Sequence, residues 1–138
     1  MIEVIQCRKV ALTRARMLTE QDYQERGGVI ETLEGPVRFR VGEYLCIGSA
    51  NEEWPQKAER IQTLYSLVGA SDTPGFDVYK PVGAIRTAMQ MSETFSIQLK
   101  RGDTLTGKPG DYLLIAENGK AWPVARSIFE QSYERVGA

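Results

Sequence analysis

A pattern of glycine, tyrosine and tryptophan residues occurs twice in this chain at a fixed spacing, and it constrains the fold more than any other feature. The identical residues 68 positions apart include Gly42/Gly110, Tyr44/Tyr112, Leu45/Leu113, Trp54/Trp122, Pro55/Pro123 and Tyr65/Tyr133. The chain has two tryptophans, they fall at matching positions, and each is followed by a proline. A repeat of this kind indicates two copies of one small module.

The repeat divides the chain into a diverged first copy at residues 1–69, a linker at 70–77 and a second copy at 78–138. Modules of this size bury a small share of their surface when they stand alone. We therefore expect the two copies to pack as one pseudo-symmetric body. Upstream of the main block the match resumes at an offset of 72, which pairs Arg14 with Arg86.

Local patterns predict an α+β fold that is mainly antiparallel β, with a little helix. Thr19 and Asp22 have the spacing of a helix cap, so we expect a helix over 20–26 that ends at Gly27-Gly28. A second helix is expected within 58–67. Ser127, three residues before Glu130, is expected to cap one further helical turn.

Strand and turn signals fill most of the remaining sequence. Residues 37–41 alternate strictly, which predicts a strand with its valines and phenylalanine inside and its arginines outside. Pro109-Gly110 fits the centre of a type II turn. Asn118-Gly119 predicts a hairpin. That hairpin leads into Trp122-Pro123, where the proline favours an edge strand because it cannot donate to a ladder.

The segment 107–115, read with Trp122-Pro123, resembles the PGDYG-type domain of small phage, prophage and bacterial proteins, most of them of unknown function. The motif residues are Pro109, Gly110, Asp111 and Tyr112, and their first-copy counterparts include Gly42, Glu43 and Tyr44. The first copy departs from the motif, since Val41 replaces the proline. The resemblance implies a bacterial or phage origin and supplies no catalytic residues.

Composition excludes several classes of protein. The net charge is −1, which gives no general electrostatic support for nucleic-acid binding. The chain has no histidine, which removes the commonest acid–base residue and metal ligand. No phosphate-binding loop or dinucleotide fingerprint is present. We therefore predict no metal, no cofactor and no membrane segment, and we expect a cytoplasmic protein.

Two groups of residues are candidates for binding. Arg14 and Arg16 share one strand face, as do Arg38 and Arg40, and adjacent strands could present them as a bidentate anion site. The competing interpretation is a solvated strand face. The tryptophans, Trp54 and Trp122, could form aromatic platforms for a ligand, or they could cover the core of each module.

Three functional hypotheses follow. The leading one is a non-catalytic module for protein interaction or assembly, with a protein partner or a second copy of the chain, because a duplicated surface suits two-site contacts. The alternative is a small-anion or nucleotide-binding protein that uses the four arginines. A second alternative is an enzyme that uses Asp111 or Glu43, against which stands a structural role for Asp111 in bonding the backbone of its own turn.

Overall fold

The computed structural model describes residues 3–137 and builds them from fourteen strands and three helices. The strands are β1 (Val4–Lys9), β2 (Thr13–Met17), β3 (Val29–Thr32), β4 (Gly35–Arg38), β5 (Tyr44–Ile47), β6 (Glu53–Gln56), β7 (Tyr65–Ala70), β8 (Asp77–Pro81), β9 (Arg86–Gln90), β10 (Phe95–Gln98), β11 (Thr104–Gly107), β12 (Tyr112–Ile115), β13 (Ala121–Val124) and β14 (Tyr133–Arg135). The helices are α1 (Glu20–Arg26), α2 (Ala58–Leu64) and α3 (Arg126–Ser132). The mainly antiparallel α+β fold is confirmed.

The strands form two five-stranded sheets and two hairpins. Sheet 1 has the order β6-β5-β2-β8-β7, and sheet 2 has the order β13-β12-β9-β1-β14. Hairpin 1 is β3–β4 and hairpin 2 is β10–β11. The strand β1 lies in sheet 2, between β9 and β14, and β8 lies in sheet 1, between β2 and β7. Each sheet therefore contains one strand that the expected division of the chain would assign to the other copy. The division into two copies stays a prediction.

Residues that match in the sequence occupy the same registers in the two sheets. Trp54 pairs with Cys46 in sheet 1, and Trp122 pairs with Leu114 in sheet 2. Upstream, the register corrects the expected offset of 72. Ala15 lies beside Cys46 and Ala88 lies beside Leu114, so these strands correspond at a spacing of 73.

This one-residue difference changes which way an arginine points. A shift of one residue along a strand moves a side chain to the other face of the sheet. Arg86 lies two residues before Ala88 and so shares its face, in the place that Thr13 has in sheet 1. Arg14 lies on the opposite face of its sheet, so the expected match of Arg14 with Arg86 is wrong.

One face of each sheet packs against a helix. Under α3 the core includes Cys7, Ala88, Leu114 and Phe129. Under α2 the corresponding core is smaller. Its members are Ala15, Cys46 and Ile61, with Tyr44, Trp54, Tyr65 and Tyr79 packed around them. Each fully buried aliphatic side chain of such a core contributes about 1.5–3 kcal/mol to the hydrophobic free energy of folding.

The hairpins cover other surfaces of the sheets and touch each other. Hairpin 1 contributes Ile30 to a third core, which also holds Leu18, Phe39 and Leu45. The two hairpins meet where the Thr106 N–H donates to the Glu34 carbonyl oxygen at 2.8 Å. This contact closes the fold around the space between the sheets. None of the three helices within residues 3–137 is long and apolar enough to cross a membrane.

Local sequence signals placed several elements correctly. The helix α1 has the expected capping box of Thr19 and Asp22, and Gly27 ends it with a φ of 63°. The turn at Asn118-Gly119 joins β12 to β13, and β13 is an edge strand, as its proline requires. The turn at Pro109-Gly110 is present, with a φ of 93° at the glycine.

The short helix expected within 58–67 is present as α2, and it ends at Leu64 because Tyr65–Ala70 pairs with β8 as a strand. Two other local predictions were wrong. The strand expected over 37–41 ends at Arg38, and Val41 is exposed, since the chain turns at Gly42 with a φ of 94°. Ser127 does not cap α3, whose N-cap Ala125 has no side-chain cap.

Candidate functional site

A cavity of about 1010 Å³ lies between the two sheets. Ligand sites in proteins are commonly about 300–1,000 Å³, so this space is large enough for an organic molecule. Its lining includes the matched aromatic pairs, Trp54 with Trp122 and Tyr65 with Tyr133. The aromatic residues that repeat along the sequence thus converge on one space.

Lys9 extends from sheet 2 to the aromatic wall of sheet 1. Its strand β1 pairs beside Tyr133, yet its Nζ lies 4.5 Å from the centroid of the Trp54 ring. The same Nζ donates to Tyr65 Oη at 3.3 Å. A cation over an indole ring is attracted by the ring's electron density, by about 0.5–2 kcal/mol depending on its exposure to water.

Arg86 holds the corresponding position against the other tryptophan. Its guanidinium carbon lies 5.9 Å from the centroid of the Trp122 ring. The backbone of Arg86 pairs with Cys7, whose side chain is fully buried in the core of sheet 2. Each tryptophan of the cavity therefore has one cation over its ring.

The two cations over the tryptophan rings are not bound to a carboxylate, although carboxylates line other parts of the cavity. Within residues 3–137, neither Lys9 nor Arg86 forms an ion pair. The neighbouring tyrosine phenols do not supply a negative charge. Burial raises the pKa of Tyr65, and it raises the pKa of Tyr133 to about 12.

The buried thiols near these cations are neutral as well. Burial raises the pKa of Cys7 to about 11, although the charge of Arg86 opposes the rise. Burial likewise raises the pKa of Cys46 to about 12, against the charge of Lys9. At neutral pH the phenol and thiol groups near the two cations are therefore uncharged. The carboxylates that line the cavity elsewhere, such as Glu52 and Glu53, form no ion pair with Lys9 or Arg86.

The structure does not bring the four arginines suggested by the sequence into one site. Arg14 donates to Thr73 Oγ1 and Asn51 Oδ1 on the outer face of sheet 1. Arg16 forms a bidentate ion pair with Asp22, at 2.7 and 2.8 Å, and this pair lowers the pKa of the carboxyl group. Neither of these arginines lines the central cavity.

The other two arginines lie near the cavity in different places. Arg38 lines the central cavity, but its side chain is largely exposed and pairs with Asp103 at 3.5 Å. Arg40 lines a smaller neighbouring cavity of about 700 Å³. Of the six candidate binding residues, the structure thus places Arg38, Trp54 and Trp122 at one cavity, and the binding roles stay predictions.

The Pro-Gly-Asp-Tyr motif of the second copy builds a turn and anchors a helix. Asp111 Oδ2 accepts from the Lys108 N–H and Oδ1 accepts from the Arg126 N–H, both at 2.9 Å. The carboxylate thus closes its own turn and satisfies the first backbone donor of α3. Tyr112 then stacks on Phe129 of that helix, with ring centroids 3.8 Å apart.

Glu43, which matches Asp111 in the sequence, makes different contacts. Glu43 accepts from the Arg40 N–H at 2.9 Å, which corresponds to the turn bond of Asp111. Its longer side chain also forms a bidentate ion pair with Arg101, which lies between the strands of hairpin 2. The pKa of Glu43 is lowered by these hydrogen bonds against an opposing effect of burial, which is the largest single contribution. Both motif carboxylates are therefore held by structural contacts.

Glu34, at the tip of hairpin 1, is a cavity residue that the sequence analysis missed. Burial raises its pKa to about 7, and the nearby charge of Asp111 adds to the rise. The N–H of Ala125 favours the charged form and limits the effect. Glu34 comes close to Asp111 and Ala125 because the two hairpins meet across the fold, and no local pattern in the sequence indicates that contact.

A family model described as PGDYG protein matches residues 35–134 of the chain. The match spans nearly all of the second half of the chain and about half of the first, and it includes both tryptophans. No curated protein and no solved structure matches the chain.

Proposed function

We propose that this chain, which belongs to the PGDYG protein family, is a binding protein that holds a small organic anion in the cavity between its two sheets. One observation carries the proposal. Lys9 and Arg86 line the cavity, each over a tryptophan ring, without a carboxylate partner among the described residues.

The electrostatics of the cavity favour an anionic ligand. Removing a cation from water costs free energy unless an opposite charge or hydrogen-bond acceptors compensate it. A carboxylate or phosphate in the cavity would supply both to Lys9 and Arg86, and charge-assisted hydrogen bonds of this kind are the strong ones. The surrounding indole and phenol rings offer apolar contact to the organic part of the ligand.

The contacts of Asp111 and Glu43 weigh against a catalytic role for these two carboxylates. Asp111 is bonded to two backbone amides and Glu43 to Arg101, so neither carboxylate is free to take a proton from a ligand. We therefore do not propose an enzyme. A cytoplasmic location and a bacterial or phage origin remain predictions from the sequence.

Tryptophan fluorescence tests the proposal, because both tryptophans of the chain line the cavity. The titrants are a panel of aromatic carboxylates and organic phosphates, with uncharged analogues of the same shape. We expect saturable emission changes for anions only. Lys9→Gln and Arg86→Gln should each weaken binding by about tenfold, because each removes one close charge interaction.

The matched controls change the same residue types outside the cavity. Lys80→Gln alters an exposed lysine of β8, and Arg126→Gln alters an exposed arginine of α3. Both should bind with the affinity of the unmodified chain. Equal weakening in the cavity variants and the controls would refute the proposal, as would equal binding of anions and their uncharged analogues.

A second candidate function is self-assembly through β7, and one specific observation favours it. The strand β7 is an edge of sheet 1, its six residues Tyr-Ser-Leu-Val-Gly-Ala carry no charge, and Leu67 and Val68 are more than 60% exposed (63% and 61%). Edge strands of monomeric proteins are usually protected by charges. The corresponding edge of sheet 2, β14, has that protection, since Glu134 and Arg135 form ion pairs.

The occupant we propose for this edge is a second copy of the chain, paired β7 to β7. Sedimentation across a wide concentration range should show a dimer that Leu67→Lys abolishes. Val4→Lys, which changes an exposed apolar residue away from the sheet edges, should leave it intact. A monomer at all concentrations would remove this candidate.

A further inference from the structure

Four cations converge at the rim of the central cavity, and we call them the rim cluster. Its members are Lys57, Arg60, Lys100 and Lys120. They come from separate parts of the chain. Lys57 and Arg60 lie at the start of α2, Lys100 lies between the strands of hairpin 2, and Lys120 lies in the turn between β12 and β13.

Three members of the rim cluster lie close enough to Lys120 to influence its charge. Burial, together with the positive charges of the other three members, lowers the pKa of Lys120. Lys57 and Lys100 also line the smaller cavity, beside Arg40 and Arg101. The cluster therefore spans the boundary between the two cavities.

Few acids offset this charge. Across the described part of the chain, no member of the rim cluster forms an ion pair with a carboxylate. Glu59 lies near Lys120 and offsets part of the charge. Glu43 also lines both cavities, but its carboxylate is already bonded to Arg101.

Like charges held together repel, and a multivalent anion between them would remove the repulsion. A phosphate group suits this arrangement, because lysine binds phosphate as a point charge that several donors can surround. The cluster and the deeper pair of Lys9 and Arg86 line the same cavity. One ligand with two anionic groups could therefore contact both.

We infer that the rim cluster binds a phosphate group, so that the ligand of the cavity is a phosphorylated organic anion. This inference rests on the proposed binding function for the cavity and names its ligand class. The phosphate lies at the rim cluster, and the second anionic group lies at Lys9 and Arg86.

The probe for the rim cluster is inorganic tripolyphosphate, measured by isothermal titration calorimetry. The unmodified chain should bind it with an affinity that falls as salt rises, because exposed charges are screened. The double variant Lys57→Gln/Lys100→Gln should bind about tenfold or more weakly. The matched control is Lys80→Gln/Lys108→Gln, which removes two exposed lysines outside both cavities and should bind normally.

The outcomes separate this inference from the proposed function. Loss of tripolyphosphate affinity in the rim variant alone supports the inference, even if no organic anion alters the tryptophan emission. Absence of tripolyphosphate binding, or equal loss in the rim variant and the control, overturns it. If organic carboxylates still bind in that case, and their binding depends on Lys9 and Arg86, the proposed function holds and the ligand needs no phosphate group.

Discussion

Glu34→Gln should stabilise the protein at alkaline pH and leave its stability unchanged at acid pH. The fold raises the pKa of Glu34 from 4.5 to about 7, chiefly by burial and next by the charge of Asp111. The folded state thus binds this proton more tightly than the unfolded chain. The resulting stabilisation is complete below about pH 4.5 and is lost as the pH rises through about 7.

The size of the effect follows from the same shift. A rise from 4.5 to about 7 corresponds to about 3 kcal/mol of destabilisation once the carboxyl group is ionised in both states. Glu34 is only half-buried, and screening by solvent reduces this to about 1–2 kcal/mol. Glutamine keeps the shape of the side chain and removes the charge.

Urea unfolding at pH 4 and pH 8 measures the difference. We expect Glu34→Gln to exceed the unmodified chain by about 1–2 kcal/mol in unfolding free energy at pH 8 and to match it at pH 4. The control Glu31→Gln changes an exposed glutamate of the same hairpin and should show no such difference. A variant that is less stable at pH 8, or that shifts stability equally at both pH values, would refute the reasoning.

Three further substitutions test the structural contacts, each by urea unfolding. Asp111→Ala should lower the unfolding free energy by about 1–2 kcal/mol, because it leaves the turn and the start of α3 without their acceptor. Asp22→Ala should lower the unfolding free energy by about 2–4 kcal/mol, since Arg16 loses its bidentate partner. In the unmodified chain this ion pair holds the pKa of Asp22 low. Its stabilising effect should therefore be lost as the pH falls below about 4. Gly107→Ala should cost about 1–3 kcal/mol, because its Cβ would lie 2.2 Å from the ring of Phe95.

Matched controls accompany these variants. Asp72→Ala changes an exposed aspartate between β7 and β8 and should be nearly neutral. Gly69→Ala adds a Cβ that meets no atom within 4 Å, at a glycine without positive φ, and should change stability by less than about 0.5 kcal/mol. Costs for the three test variants no larger than those of these controls would contradict the assigned contacts.

Local structure could be predicted from the sequence wherever a few neighbouring residues determine it. Thr19, Asp22 and Gly27 specify where α1 begins and ends, because capping and the left-handed glycine are local effects. Asn118-Gly119 specifies its hairpin for the same reason. The competing structural interpretation of Asp111 also agrees with the contacts it makes.

The cavity depends on contacts between residues that are far apart in the sequence, and these contacts could not be predicted from the sequence. Lys9 reaches Trp54 because β1 lies in sheet 2 rather than beside its own neighbours in sequence. Arg86 points into the cavity because the register differs by one residue from the offset that the sequence indicated. Strand pairing at this separation leaves no periodic signal in the chain. The sequence therefore indicated the two tryptophans that line the cavity, but not Lys9 and Arg86 beside them.

The sequence indicated Glu43 as the carboxylate of interest, whereas the structure indicates Glu34, and the difference has the same origin. The sequence pointed to Glu43 because it matches Asp111, but Glu43 is neutralised by Arg101 across the fold. Glu34 has no match in the repeat, and its environment comes from the meeting of the two hairpins. Burial and electrostatics, which set pKa values, are properties of the assembled fold.

Native mass spectrometry after incubation with a panel of organic phosphates and carboxylates tests the central claim most directly. The account predicts a complex of one chain with one anion, reduced in the double variant Lys9→Gln/Arg86→Gln and retained in Lys80→Gln/Arg126→Gln. Absence of a complex with every anion of the panel, or complexes that persist equally in both double variants, would contradict it.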